Sequence, residues 1–201
     1  MCIIGIVTRQ AQSSEGHKIN IMYNDIIRAL SCFDVIPIGL VLDNKYKEKI
    51  DLCDGIIFQG GDDYLSYEID ALRYIHFKDI PVLGICLGMQ TMGMLFDGLM
   101  IDVLNHKKRL SYAHIVKIKR NSKLYNIFKS DIIKVNSRHK SAIKNTKLDI
   151  SGISSDGLIE AIEDKNKRFF IGVQWHPESM IDYDENQKNL FKSFIKICAL
   201  K

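Results

Sequence analysis

Apolar positions come in two rhythms along this chain, and the switch between them marks the elements. Cys2 to Thr8 is a short apolar, β-rich run and reads as a first strand. Tyr23, Ile26, Ile27, Leu30 and Phe33 recur at helical spacing, so an amphipathic helix is predicted over Asn20 to Phe33. Val35 to Leu42 returns to strand, and a short polar segment follows. Asp54 to Phe58 is a third buried strand, running into Gln59-Gly60-Gly61-Asp62-Asp63. Leu65, Ile69, Leu72, Ile75 and His76 mark another helix. Ile80 to Ile85, with Pro81 at its head, suits a buried parallel strand, and helix formers follow from Met89 to Phe96.

The second half changes character. Tyr112 to Lys119 alternates polar and apolar residues, as a half-exposed strand does. Ile132–Asn136, Leu148–Ile153, Leu158–Glu163 and Phe169–Trp175 also read as strands, with a turn signal at Ser155-Asp156-Gly157. In the tail, Leu190, Phe191, Phe194, Ile195 and Cys198 share one face of a helix over Asn186 to Ala199. Strand–helix alternation early in the chain predicts an α/β architecture: a flavodoxin-like, doubly wound, mostly parallel sheet flanked by helices, with added strands in the C-terminal half. No linker, repeat or low-complexity segment interrupts residues 1–201, so a single domain is expected.

Composition narrows the function classes. The net charge of +4 comes from dispersed lysines, with no basic block and no interleaved aromatic stripe, so no nucleic-acid partner is expected. Cys2, Cys32, Cys53, Cys86 and Cys198 are odd in number, scattered, and contain no Cys-x-x-Cys pair. That argues against a disulfide framework and a structural zinc site and fits a reducing compartment. The N-terminus has no secretory pattern, and the apolar run ending near Leu95 is broken by Gln90 and too short to span a bilayer. A cytoplasmic protein with no membrane association is expected. There is no phosphate-loop or dinucleotide fingerprint, hence no expected cofactor. His106 and His114 flank a Lys-rich stretch and have no carboxylate or Cys at metal-ligand spacing, so no metal is expected.

Candidate chemistry centres on Gly84-Ile85-Cys86-Leu87-Gly88. A small-residue frame around a Cys, between strand and helix, has the form of a nucleophile elbow. The helix that follows turns its free N–H groups toward the sulfur, which favours thiolate. Taken alone, Cys86 is equally a buried structural cysteine, and a base elsewhere must decide. The last predicted strand ends in Trp175-His176-Pro177-Glu178. There His176 can take the thiol proton, and Glu178 can hold the imidazole in one tautomer.

Gly84-Ile85-Cys86-Leu87-Gly88-Met89-Gln90 together with Trp175-His176-Pro177-Glu178 resembles the class I glutamine amidotransferase family. Gln59-Gly60-Gly61-Asp62-Asp63 looks like that family's oxyanion loop, although many members have Pro or Ser where Gln59 stands. Val135 to Ala142 and Ser155 to Ala161 complete the likeness. The Gly-Gly-Asp-Asp and Asn136-Ser137-Arg138-His139 segments lean toward the peptidase C26-like γ-glutamyl hydrolase branch, which contains the γ-glutamyl-γ-aminobutyrate hydrolases. The loop between Gly61 and the next helix is shorter than is usual in that branch, which leaves the leaving-group side of the substrate open.

The resemblance implies a small-molecule γ-glutamyl substrate, attacked by Cys86 with His176 as proton carrier and Glu178 as its orienter. It implies oxyanion donors at the backbone N–H groups of Gly61 and Leu87. It also implies substrate contacts from Gln90, with Ser137, Arg138 and His139 as further candidates. The alternative within the family is a glutaminase subunit that supplies ammonia to a partner synthetase. A homodimer is also compatible. A non-catalytic regulatory protein on the same scaffold is disfavoured by the intact Cys–His–Glu set.

Overall fold

The computed structural model describes residues 2–108 and 110–200. The elements run β1 (Cys2–Val7), β2 (Arg9–Gln12), β3 (Lys18–Ile21), α1 (Asn24–Ser31), β4 (Val35–Leu40), α2 (Tyr46–Asp51), β5 (Gly55–Phe58), α3 (Ser66–Lys78), β6 (Val82–Ile85), α4 (Leu87–Leu95), β7 (Met100–Asp102), β8 (Lys107–Lys108), β9 (His114–Ile118), α5 (Lys123–Phe128), β10 (Ile132–Val135), β11 (Ser137–Arg138), β12 (Ser141–Ile143), β13 (Asp149–Ser154), β14 (Ile159–Glu163), β15 (Phe170–Val173) and α6 (Glu185–Cys198), with a 3₁₀ turn at Pro177–Ser179. Nine strands form one sheet in the order β10-β9-β13-β14-β15-β6-β5-β1-β4. The segment β4-β1-β5-β6-β15 is parallel, and β14, β13, β9 and β10 continue it antiparallel. The doubly wound expectation therefore holds for the parallel half, and the added C-terminal strands extend the same sheet.

Side chains alternate between the two faces, and each face has its own core. On one, Ile4, Ile6, Ile57, Leu83, Ile85 and Trp175 pack with Ile26 and Leu30 of α1 and Phe191 and Phe194 of α6. On the other, Val7, Ile56, Phe58, Val82 and Phe170 pack with Leu72 and Ile75 of α3 and Met89 and Met92 of α4. Burial on both faces explains why the parallel strands read as continuous apolar runs. Full burial of a side chain such as Phe191 contributes about 1.5–3 kcal/mol. β4 is a sheet edge, which is where Pro37 is tolerated. Among the described residues no helix is long and apolar enough to cross a membrane.

The predicted helix over Asn20 to Phe33 begins later than expected, at Asn24. Arg9 to Gln12 and Lys18 to Ile21 instead form an antiparallel hairpin. The Gln59 side chain then ties its exit, accepting from Tyr23 N at 3.0 Å and donating to the Ile21 carbonyl at 2.9 Å. Long-range bonds to these backbone groups override the local helical spacing. Two six-residue helices, α2 and α5, are too short to show a period. α5 is set by its surroundings: the Ser122 hydroxyl caps it by accepting from Tyr125 N, and the buried Glu163 carboxylate accepts from Lys123 N at 2.8 Å.

Candidate active site

Three adjacent strands end level at the same edge. β15 pairs with β6 through Val173 and Ile85, and β6 pairs with β5 through Gly84 and Phe58. The residues just past these ends are His176, Cys86 and Gly60-Gly61. The central strand thus delivers the thiol between a histidine on one side and a glycine loop on the other, at the carboxyl end of a parallel sheet where such folds place their sites.

Cys86 adopts φ +52°, ψ −104°, a conformation a residue with a Cβ rarely holds. Strain of this kind is worth of order 1–3 kcal/mol and persists only where packing dictates it. The packing is visible at the flanking glycines. A Cβ at Gly88 would press into the Phe58 carbonyl and reach 2.7 Å from Phe58 Cβ, and one at Gly84 would lie 2.9 Å from the Gly88 carbonyl carbon. Strand and helix meet with no room for a side chain, which forces the turn and lifts Cys86 to its apex. The backbone is pinned by Cys86 N donating to the Val173 carbonyl at 2.8 Å. The sulfur accepts from Gln174 Nε2 at 3.5 Å.

His176 is held by its backbone. Its N–H donates to Asn136 Oδ1 and its carbonyl accepts from Asn136 Nδ2, both at 2.8 Å. Pro177 opens the 3₁₀ turn, which brings Glu178 back so that its Oε1 lies 2.6 Å from His176 Nδ1. Burial alone would push the imidazole down. The Glu178 carboxylate and the hydrogen-bonded Cys86 sulfur outweigh it, raising His176 to about 10. Trp175 beneath is fully buried and donates its indole N–H to Gln187 Oε1 at 2.9 Å.

The glycine loop is held by a buried arginine. Arg9 Nε lies 3.2 Å from the Gln59 carbonyl and 3.0 Å from that of Gly60, while its guanidinium pairs with fully buried Glu68. Glu68 also accepts from Leu65 N at 3.0 Å, closing the loop into α3.

Cys86, His176, Glu178, Gly60, Gly61 and Arg138 line one cleft of about 450 Å³, together with Tyr23, Asn24, Asp25, Asp62 and Lys107. A recess of about 40 Å³ continues from Cys86 past Gln90, His139, Lys140 and Ser141. A second cleft of about 520 Å³ shares Lys107 and Arg138 and extends to Ser179 and Tyr183. Leu87, the first residue of α4, packs against the position a Gly61 Cβ would take, 3.3 Å away. Gln90 borders the recess, but its Nε2 donates to the Ser141 carbonyl at 2.6 Å and to Gln174 Oε1 at 3.2 Å. Ser137 is brought to neither cleft. It is fully buried and its hydroxyl donates to the His106 carbonyl. Arg138 reaches the rim and donates to Ser179 Oγ at 3.0 Å.

Several residues of the site carry no local sequence signal. Arg9 is the first residue of an unanticipated hairpin. Gln174 acts through a contact across the fold, and Lys107 only lines the clefts; Asn136, part of the quoted Asn136–His139 segment, clamps a residue 40 positions away. The isolation expected for His106 and His114 is corrected. Glu160, from the neighbouring strand β14, lies 3.2 Å from His114 Nε2 and 3.8 Å from His106 Nδ1. Sheet pairing brings these groups together, and linear spacing cannot show that.

Residues 65–178 match the family model described as Peptidase C26. A Schizosaccharomyces pombe protein provisionally described as a glutamine amidotransferase is 36% identical over 203 residues, covering 85% of this chain and 78% of that one. The CTP synthase of Hydrogenobaculum sp. is 30% identical over 192 residues, covering 77% of this chain, which spans only 36% of that longer protein. In three dimensions, the glutaminase domain of Trypanosoma brucei CTPS, solved with bound acivicin, superposes with a TM-score of 0.74 at 20% identity, covering 100% of this chain and 95% of that one. With the elbow cysteine and the histidine–glutamate pair at adjacent strand ends of this fold, the chain belongs to the peptidase C26 family of class I glutamine amidotransferases.

Proposed function

We propose that this protein hydrolyses the γ-glutamyl amide bond of a small γ-glutamyl compound through a thioester on Cys86. The observation that carries this reading is one cleft holding a strained elbow cysteine, a histidine beside it and a glutamate on the far ring nitrogen. The Cys86 sulfur attacks the δ-carbonyl carbon, and the carbonyl oxygen takes the negative charge. The N–H groups of Gly61 and Leu87 face that charge. Arg9 sets the first of them: it holds the Gly60 carbonyl, and in a planar trans peptide the N–H of Gly61 points the opposite way. One such donor is worth roughly 10²–10³ in rate. His176 gives its proton to the leaving amine as the C–N bond breaks. It then takes a proton from water, whose hydroxide attacks the thioester and expels the Cys86 thiolate, releasing glutamate and restoring the thiolate–imidazolium pair. Glu178 keeps the Nδ1–H in place throughout. Lys107 and Arg138 on the cleft wall suit the α-carboxylate of the glutamyl group, and Asp25 and Asp62 its ammonium.

The likeness to CTP synthase favours a second reading, in which glutamine is the substrate and the ammonia passes to a partner synthetase. A panel of γ-glutamyl amines, γ-glutamyl peptides and glutamine, assayed for both products by mass spectrometry, separates the two. Turnover of a γ-glutamyl amine by the isolated chain supports the first. Weak glutaminase activity that rises only with a synthetase supports the second. No turnover of any member by a chain whose Cys86 alkylates would refute both.

A further inference from the structure

Behind the wall that carries Lys107 and Arg138 lies a group of four side chains, of which only His139 borders the recess beside Cys86. His106 precedes β8, His114 opens β9, His139 follows β11, and Glu160 sits on β14. Glu160 is fully buried, and neither of its carboxylate oxygens nor His114 Nε2 makes a hydrogen bond of regular geometry; only histidine rings stand against the carboxylate. A buried carboxylate left so is strongly unfavourable unless a cation or proton sits against it. Three ring nitrogens converge on one of its oxygens: His114 Nε2 at 3.2 Å, His139 Nε2 at 3.5 Å and His106 Nδ1 at 3.8 Å.

The outward-facing nitrogens fix the tautomers. His106 Nε2 lies 2.7 Å from Asp156 Oδ2, which in its ionised form only accepts, so the ring N–H is there. In the neutral ring the lone pair is then on Nδ1. His139 Nδ1 lies 3.0 Å from the Ser141 carbonyl, another acceptor, so in the neutral ring its lone pair is on Nε2. His106 Nδ1 and His139 Nε2 stand 3.2 Å apart, a contact that a proton on either ring or a shared cation would bridge. A neutral imidazole whose far N–H is held by a carboxylate or carbonyl is how metal-binding histidines are oriented. In a tetrahedral site with metal–ligand bonds of 2.0–2.2 Å, ligand atoms stand about 3.3 Å apart, and the contacts here bracket that value. The candidate atoms of His106, His114 and Glu160 all lie within 4.8 Å of one another.

We infer that His106 Nδ1, His114 Nε2 and Glu160 Oε1 bind a zinc-type divalent ion, with the His139 ring packed beside them. Imidazole nitrogens with one carboxylate oxygen suit zinc rather than magnesium or calcium, which favour oxygen. The site is structural. Ser137 donates to the His106 carbonyl, so fixing His106 steadies the β8–β11 pair that carries the cleft cations.

The test uses the full chain with Cys86→Ala, so that the active-site thiol offers no competing ligand. Zinc is titrated against a chromophoric chelator, and melting is followed with and without zinc. One equivalent bound, and a melting temperature raised by roughly 5 °C or more at a hundredfold excess over Kd, are expected. Glu160→Gln and His114→Ala should each weaken binding at least tenfold, while Cys32→Ser, on the surface, leaves it unchanged. His114 lies at the margin of the group, so its variant keeps the test alive if Glu160→Gln fails to fold. Less than a tenth of an equivalent bound by the folded protein overturns the inference, as does binding that survives both ligand substitutions.

Discussion

His176 and His114 each approach a buried glutamate, at 2.6 Å and 3.2 Å, yet the two pairs are built for different work. Around His176, Asn136 clamps the backbone on both sides, Glu178 takes one ring nitrogen, and the other side of the ring opens onto Cys86 and a cleft. Around Glu160, histidines close in from three sides, no nucleophile is near, and the carboxylate has no hydrogen bond of regular geometry. The first pair sets an imidazole beside a thiol in a cleft. The second gathers ring nitrogens around one buried carboxylate. The lesson is that a histidine–carboxylate contact does not itself mean catalysis. What the free ring nitrogen faces decides it.

The sharpest way to break the contrast is to remove the reactive atom. Cys86→Ala should lower glutamate release from the best γ-glutamyl substrate by roughly 10³-fold or more while the fold, followed by circular dichroism, stays intact. Comparable turnover would mean that the cleft around His176 is no more catalytic than the group around Glu160. Glu178→Gln keeps the shape but removes the charge that fixes the tautomer, and kcat should fall by roughly two to four orders of magnitude, with KM changed far less. A loss confined to KM would instead make Glu178 a substrate contact.

Arg9→Met tests whether the glycine loop depends on its buried support. It leaves Glu68 as a lone buried charge, which costs about 3–5 kcal/mol, or roughly 10 °C in melting temperature. Activity in the surviving folded fraction should also drop, because the Gly60 carbonyl is released. A melting temperature within a degree or two of wild type would show that the loop stands alone.

A further effect is a dependence on pH. His176 is raised from 6.5 to about 10 in the folded protein, so its protonated form is the one the fold favours. Its stabilisation is therefore fully present below about pH 6.5, fades as pH rises, and is gone above about pH 10. The melting-temperature difference between wild type and His176→Gln should shrink across that window. A difference that grows with pH would place the proton elsewhere.

The parallel half was readable because its strands are buried on both faces and its helices are long enough to show a period. Cys86, His176 and Glu178 were readable for a related reason: each sits at a strand end within a local motif, and sheet order does the rest. Arg9 and Gln174 were not, since each matters only through a partner more than 50 positions away. The small strands β7, β8, β11 and β12, of two or three residues, are defined by their pairing alone. The same blindness hid Glu160 from His106 and His114. Ser137, which resemblance placed at the substrate, turns inward to the His106 carbonyl, and nothing in its flanking residues indicates that direction.

The turn at Cys86 also bears on stability. Its positive φ is a conformation that glycine adopts without strain and alanine does not. Cys86→Gly should therefore melt higher than Cys86→Ala, and equal melting would show that the turn is relaxed. Cysteine at this position keeps a strained turn that glycine would relax, and the flanking Gly84 and Gly88 are shut by packing to any larger residue.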